Sequence, residues 1–158
     1  MTKTKLLTVA ALGLGLVALP TIGDAQSFQG GQPIMWGADQ VSRTTTTLSM
    51  QGRAELTQGD SRIRADNIEA GLNGGTLTRV EASGSVYFVT PEQTIRGDRA
   101  VYTPNNDTIV LTGDVILTQG ENVITGARLV YNTRTESAQM EGGSGGRVQG
   151  VFYPQSGN

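Results

Sequence analysis

"GSVYFVTPEQTIRGDRAVYT" occupies positions 84–103, and "GDVILTQGENVITGARLVYN" occupies positions 113–132, twenty-nine residues later. The two stretches place apolar residues, glycines and a tyrosine at the same steps. The register extends in both directions. Gly84, Gly113 and Gly142 are evenly spaced, and Gly52 precedes Gly84 by thirty-two because "GLNGGT" at 71–76 carries a three-residue insertion. In that register Ala54, Val86 and Val115 coincide, as do Leu56, Phe88 and Leu117, then Ile63, Ile95 and Ile124. Ala65 aligns with Gly97 and Gly126, Ile68 with Ala100 and Leu129, and Ala70 with Tyr102 and Tyr131. Each unit closes alike, with Val80, Ile109 and Ala138 followed two residues on by Ala82, Leu111 and Met140. A partial unit stands in front, carried by Trp36, Ala38, Val41, Leu48 and Met50.

Within a unit the apolar steps are mostly of two residues, as in Val86 with Phe88 and Ile109 with Leu111. Successive strand side chains point to opposite faces, so this spacing predicts half-buried strands. Valine, isoleucine and threonine are abundant, and "TPEQ" at 90–93, "TPNND" at 103–107 and "TQGEN" at 118–122 supply turn chemistry. The fold class is therefore all-β, with about four short strand segments per unit. A period near thirty means units that cannot bury their apolar face alone and stack to complete it. Stacking aligns the repeated residues into continuous stripes that make either a closed sandwich or an open trough. Small inward residues at Ala54, Ala65, Ala70, Gly97 and Gly126 leave room that a tight sandwich would fill. Phe88, Tyr102 and Tyr131 serve as core packing, as lining of a trough, or as both.

The chain begins MTKTK and continues with an apolar run from Leu6 to Leu19, then Pro20 and Gly23-Asp24-Ala25. That order predicts a signal peptide over 1–25, cleaved before Gln26. The run is shorter than the roughly 20 residues of a membrane-spanning helix, although a retained anchor is the rival reading. A linker over 26–35, one domain over 36–154 and a tail over 155–158 follow, and export places the domain in the periplasm. The chain has twelve basic and fourteen acidic residues. Removing Lys3, Lys5 and Asp24 leaves ten arginines against thirteen acids, a net charge of −3. No basic cluster suggests nucleic acid. No cysteine is present, so neither a disulfide nor a lipid anchor on sulfur is available.

Histidine is also absent, which removes Ser-His and Cys-His catalysis and nearly all zinc and copper sites. A carboxylate pair is the remaining enzymatic option. Asp39, Asp66 and Asp98 recur at equivalent steps after Ala38, Ala65 and Gly97, and recurrence points to a turn or edge role. "EGGSGGR" at 141–147 lacks the lysine of a phosphate loop and reads as a bend before the last strand. The expectation is a protein without enzymatic activity, cofactor or metal.

"MQGRAELTQGDSRIRADNIEA" from Met50, the two stretches quoted above and the closing "GGRVQGVFYP" together resemble the OstA-like (LptA) family of lipopolysaccharide-transport proteins. The pattern covers roughly Trp36 to Pro154, and its order and period carry the likeness more than any single piece. The resemblance implies a boomerang-shaped β-jellyroll of two facing sheets whose apolar groove holds the acyl chains of lipopolysaccharide. It implies head-to-tail self-association and contacts with like-folded domains of inner-membrane (LptC-type) and outer-membrane (LptD-type) components. The lipid-binding groove is then expected at Leu56, Ile63, Val86, Phe88, Ile95, Tyr102, Ile109, Leu111, Val115, Leu117, Ile124, Leu129, Tyr131 and Met140. The assembly edges are expected at Thr46 and Leu48 within "TTTTL" at one end and at Val148, Val151 and Phe152 at the other. Two alternatives stay open: a membrane-anchored LptC-like component, and an exported β-solenoid that binds polysaccharide or acts as an adhesin.

Overall fold

The computed structural model describes residues 32–154; the expected signal peptide, most of the linker and the tail lie outside the described residues. Ten strands form one antiparallel sheet: β1 (Met35–Gly37), β2 (Gln40–Arg43), β3 (Thr47–Gln58), β4 (Ser61–Asn73), β5 (Thr76–Val89), β6 (Thr94–Thr103), β7 (Thr108–Gln119), β8 (Asn122–Asn132), β9 (Ala138–Glu141) and β10 (Gln149–Val151). The order is β1-β3-β4-β5-β6-β7-β8-β10, with β2 also on β3 and β9 also on β8. Each repeat unit is thus two long strands in place of four separate segments, and the hairpin turns fall where the turn residues were expected. The exception to simple turns among the described residues is the 3-10 turn Pro104–Asn106, where Asp107 (φ 53°) reverses the chain.

Three of the long strands, β3, β5 and β7, break register at equivalent places, and the repeated glycines are the reason. Gly52 and Arg53 together oppose the single residue Asp66, between the pairs Gln51 with Asn67 and Ala54 with Ala65. Gly84 and Ser85 oppose Asp98 in the same way, and Gly113 and Asp114 oppose Ala127. These are β-bulges, each with two residues at positive φ: 73° and 48°, 78° and 47°, 80° and 41°. Stacked in line, they fold the sheet into two arms with the apolar stripes between them. The acids at the corner are part of the fold, as their recurrence suggested. A Cβ on Gly52 would come within 2.5 Å of Oδ2 of Asp39, and Asp66 over Gly84 and Asp98 over Gly113 leave even less space. At the last corner Ala127 faces Gly143, which has φ 73°, so the corner glycine there is Gly143 and not the aligned Gly142.

The inward residues form one core. Phe88, Met50, Ile63, Ile68, Ile95, Ile109, Leu111, Leu129, Val86 and Val115 are its largest fully buried side chains, each Leu, Ile or Val contributing about 1.5–3 kcal/mol by burial. The Phe88 and Tyr131 rings meet across the interior from opposite arms, with centroids 5.5 Å apart. Outward positions carry exposed ion pairs such as Arg128 with Glu141 at 2.8 Å, worth at most about 1 kcal/mol each.

Two expectations change. Gly97 and Gly126 do not leave room: a Cβ on Gly126 would meet Cγ of Met140 at 2.6 Å, and one on Gly97 would meet the Thr112 carbonyl at 3.3 Å. Neighbouring strands have moved into that space. Thr46 and Leu48 do not form the free edge at their end either. Leu48 pairs with Arg43 on one side and Ala70 on the other, and the Thr46 carbonyl accepts from the Leu72 N–H at 2.7 Å. The edge itself is β1 with β2.

Candidate functional site

The interior is filled along most of its length and open at the end nearest β1. There the arms part around a cavity of about 290 Å³, lined by Ile34, Trp36, Leu48, Leu56, Ile63, Ala70, Leu72, Leu77, Val80 and Tyr102, with Arg43 and Gly75 completing its wall. Local sequence explains each side. β1 places Trp36 opposite Leu56 on the inward face. Gln58 donates from Nε2 to the Gln32 carbonyl at 2.9 Å, which pins the segment bearing Ile34 beside the opening. The opposite wall is the long hairpin of β4 and β5, turning at Gly74 and Gly75 with φ of 57° and 85°, as a two-residue hairpin turn requires. The insertion at 71–76 lengthens this hairpin, and Leu72, Gly75 and Leu77 line the cavity from it.

Of the residues expected to hold lipid, Leu56, Ile63 and Tyr102 line this chamber. Val86, Phe88, Ile95, Ile109, Leu111, Val115, Leu117, Leu129 and Tyr131 are buried against one another beyond it. Ile124 is 37% exposed and Met140 half-buried, both towards the far edge. The inward face is thus one continuous apolar surface of which the first part stands open. Reasoning from the repeat missed Trp36, Leu72 and Leu77 as lining, and Arg43 entirely. The signals were present in the insertion and in the alternation Val41, Arg43 on the first edge strand.

Two buried tyrosines bound the packed region. Burial pushes the Tyr102 hydroxyl up to about 12, aided by the charge of Asp107 and opposed by a hydrogen bond with Thr133. Tyr131 is raised for the same leading reason, burial, and is hydrogen-bonded to Gln93, which lies on the turn joining β5 and β6 in the other arm. A tyrosine whose ionisation is raised in the fold keeps its full contribution below the unfolded value near 10. That contribution is lost as pH climbs towards 12. The urea midpoint of the wild type should therefore fall between pH 10 and 12. Tyr102→Phe should flatten much of that fall, at a cost of about 1 kcal/mol at neutral pH for the lost hydroxyl bond. Parallel pH curves for the two proteins would contradict the buried placement.

The acids examined as a catalytic pair do not converge. Asp39, Asp66 and Asp98 each cover a different corner glycine, and Arg53 bonded to Asp39 (Nε to Oδ1, 2.9 Å) holds that carboxyl below its usual range. Among the described residues no group of three or more acidic or metal-ligating side chains gathers, and no helix is long and apolar enough to cross a membrane.

Comparison with known proteins agrees with this architecture. An uncharacterized protein of Rhizobium meliloti (strain 1021) is 32% identical over 169 residues, covering 95% of this chain and 90% of that protein. The crystal structure of LptH, the LptA homologous periplasmic component of the lipopolysaccharide transport device of Pseudomonas aeruginosa, superposes with a TM-score of 0.70. At 19% identity, over 78% of this chain and 96% of LptH, that likeness speaks to the fold. The family model described as LptA/(LptD N-terminal domain) LPS transport protein matches residues 38–137. The chain belongs to the LptA/LptD N-terminal domain family of lipopolysaccharide transport proteins.

Proposed function

We propose that the protein is a periplasmic carrier that shields acyl chains of lipopolysaccharide between its two arms and works as one link of a longer bridge. The observation that carries the reading is the chamber beside β1: a mainly apolar opening that leads into an uninterrupted apolar interior. Its volume sits near the lower end of the roughly 300–1,000 Å³ range of ligand pockets. It suits one chain at a time, while sugars and phosphates stay in water. No catalytic group is required, and the bridging partners are further copies or like-folded LptC-type and LptD-type domains.

The strand count supports end-to-end extension. Eight strand positions at about 4.8 Å spacing make a stack of roughly 34 Å, short for a bridge between membranes. Because the count is even, the β1–β2 edge and the β9–β10 edge run in opposite directions. A second copy can therefore add its first edge to the last edge of its neighbour and continue the antiparallel alternation. Photo-crosslinking tests the lipid part in cells. A reactive residue replacing Leu56 or Leu77 in the chamber should capture lipopolysaccharide, and one replacing outward Tyr87 or Ile116 should not. Equal labelling of the two sets would exclude the chamber as the route.

A further inference from the structure

Arg43 is the one charged side chain among the described residues that line the chamber. Its orientation follows from register. Arg43 pairs directly with Leu48, as Val41 does with Met50, and directly paired residues of an antiparallel ladder share a face. Leu48 and Met50 face inward, so Arg43 does too. It is exposed, and none of the ion pairs among the described residues includes it. The turn that follows holds it in place. The Thr44 hydroxyl accepts from the N–H groups of Thr46 and Thr47 at 3.2 and 3.0 Å, and the Thr44 N–H donates to the Thr47 carbonyl at 2.8 Å. Of the arginines on the outer face, those at 53, 62, 64, 79, 99 and 128 are each paired with an acid, whereas Arg96, between Tyr87 and Ile116, shares with Arg43 the lack of an ion pair among the described residues but faces away from the chamber.

We infer that Arg43 is an anion-binding site at the mouth of the chamber, which holds the phosphate of an amphiphile whose acyl chain lies against Leu48, Leu56 and Leu77. The inference rests on the lipid-carrying reading above and adds where the head group sits. A guanidinium presents a fork of donors that matches phosphate geometry and is more weakly hydrated than an ammonium. A fixed cation at the rim of an apolar cavity orients the ligand chain-first and keeps its charged end in water. Serving only to guard an edge strand is the competing role for an inward charge, and the test separates the two.

Binding of dodecyl phosphate, dodecanol and inorganic phosphate to the protein as purified from cells, each below its aggregation concentration, decides the matter. The wild type should bind dodecyl phosphate about tenfold more tightly than dodecanol, as one charge-assisted contact of about 1.5–3 kcal/mol provides, and a large excess of inorganic phosphate should erode that preference without weakening dodecanol. Arg43→Gln should bring the two amphiphiles to equal affinity by weakening dodecyl phosphate only, and Arg43→Lys should restore part of the preference. An unchanged preference in Arg43→Gln would overturn the inference, as would a preference for dodecyl phosphate that a large excess of inorganic phosphate leaves untouched. Equal binding of both amphiphiles by the wild type overturns it and leaves the lipid-carrying reading intact. Binding of neither would remove both.

Discussion

Leu111→Asp is expected to abolish the folded domain. Leu111 is wholly buried, paired with Ala100 on β6 and Leu129 on β8, and no described polar group stands ready to receive a carboxylate there. Replacing it removes about 2–5 kcal/mol of packing. It also asks for a buried charge or for protonation of an acid far above its ordinary range, which costs several kcal/mol more. Together these match the whole stability of a small domain, about 5–15 kcal/mol. Circular dichroism of Leu111→Asp should show loss of the strand signal at room temperature. Ile116→Asp, five residues along the same strand and facing outward, should change stability by less than about 1 kcal/mol. A Leu111→Asp protein that melts like the wild type would mean that the middle of β7 faces water.

The contrast between Leu111 and Ile116 was legible in the repeat because the inward stripe is written three times over. A step such as Val86 with Val115 fixes both the strand and its face. The same repetition marked Asp39, Asp66 and Asp98 as turn or edge residues, but that the recurring glycines beside them form a line of bulges was visible only in the strand register. What the repeat could not convey is how closely the arms approach. Gly126 looks like empty space in the alignment, yet Met140 fills it, because the room left by one strand depends on a neighbour twelve or more residues away. The chamber was hidden for a related reason. Its lining departs from the repeat, in the hairpin insertion with Leu72 and Leu77 and in the partial first unit with Trp36 and Arg43. The chamber sits where the period breaks, and an alignment of equivalent positions averages those places out. The first edge was misread by one strand because "TTTTL" has the composition of an edge but makes the turn into β3 and its first residues, while the true edge strands β1 and β2, three and four residues long, carry little periodicity.

The largest effect on assembly is expected at the last edge. Ten large apolar residues are exposed among the described residues, and nine of them sit at the two ends: Ile34, Met35, Trp36 and Val41 at one, Ile124, Val148, Val151, Phe152 and Tyr153 at the other. Soluble proteins usually cover or charge such edges, and here Arg147 is the only charged residue in the described stretch 142–154 that carries β10. Phe152 is 75% exposed and Val151 53%, so neither contributes much to the fold. Pairing the β9–β10 edge with the β1–β2 edge of a second copy would bury both patches and satisfy the unpaired backbone groups. The purified wild type should therefore sediment as a series of species that lengthens with concentration. The double variant Val151→Asp with Phe152→Asp should shift that association by about a hundredfold or more in concentration, since each lost apolar contact of about 1.5–3 kcal/mol is joined by a buried carboxylate. Its melting temperature measured at high dilution should match the wild type, because the substituted side chains are exposed in the single copy. Trp36→Asp at the opposite edge should block association with wild type through one end only, so that an equal mixture of the two variants contains one intact edge of each kind. That mixture should form dimers and nothing longer. A wild type that stays monomeric at all concentrations, or a mixture that still forms long species, would mean that the ends are not built to join.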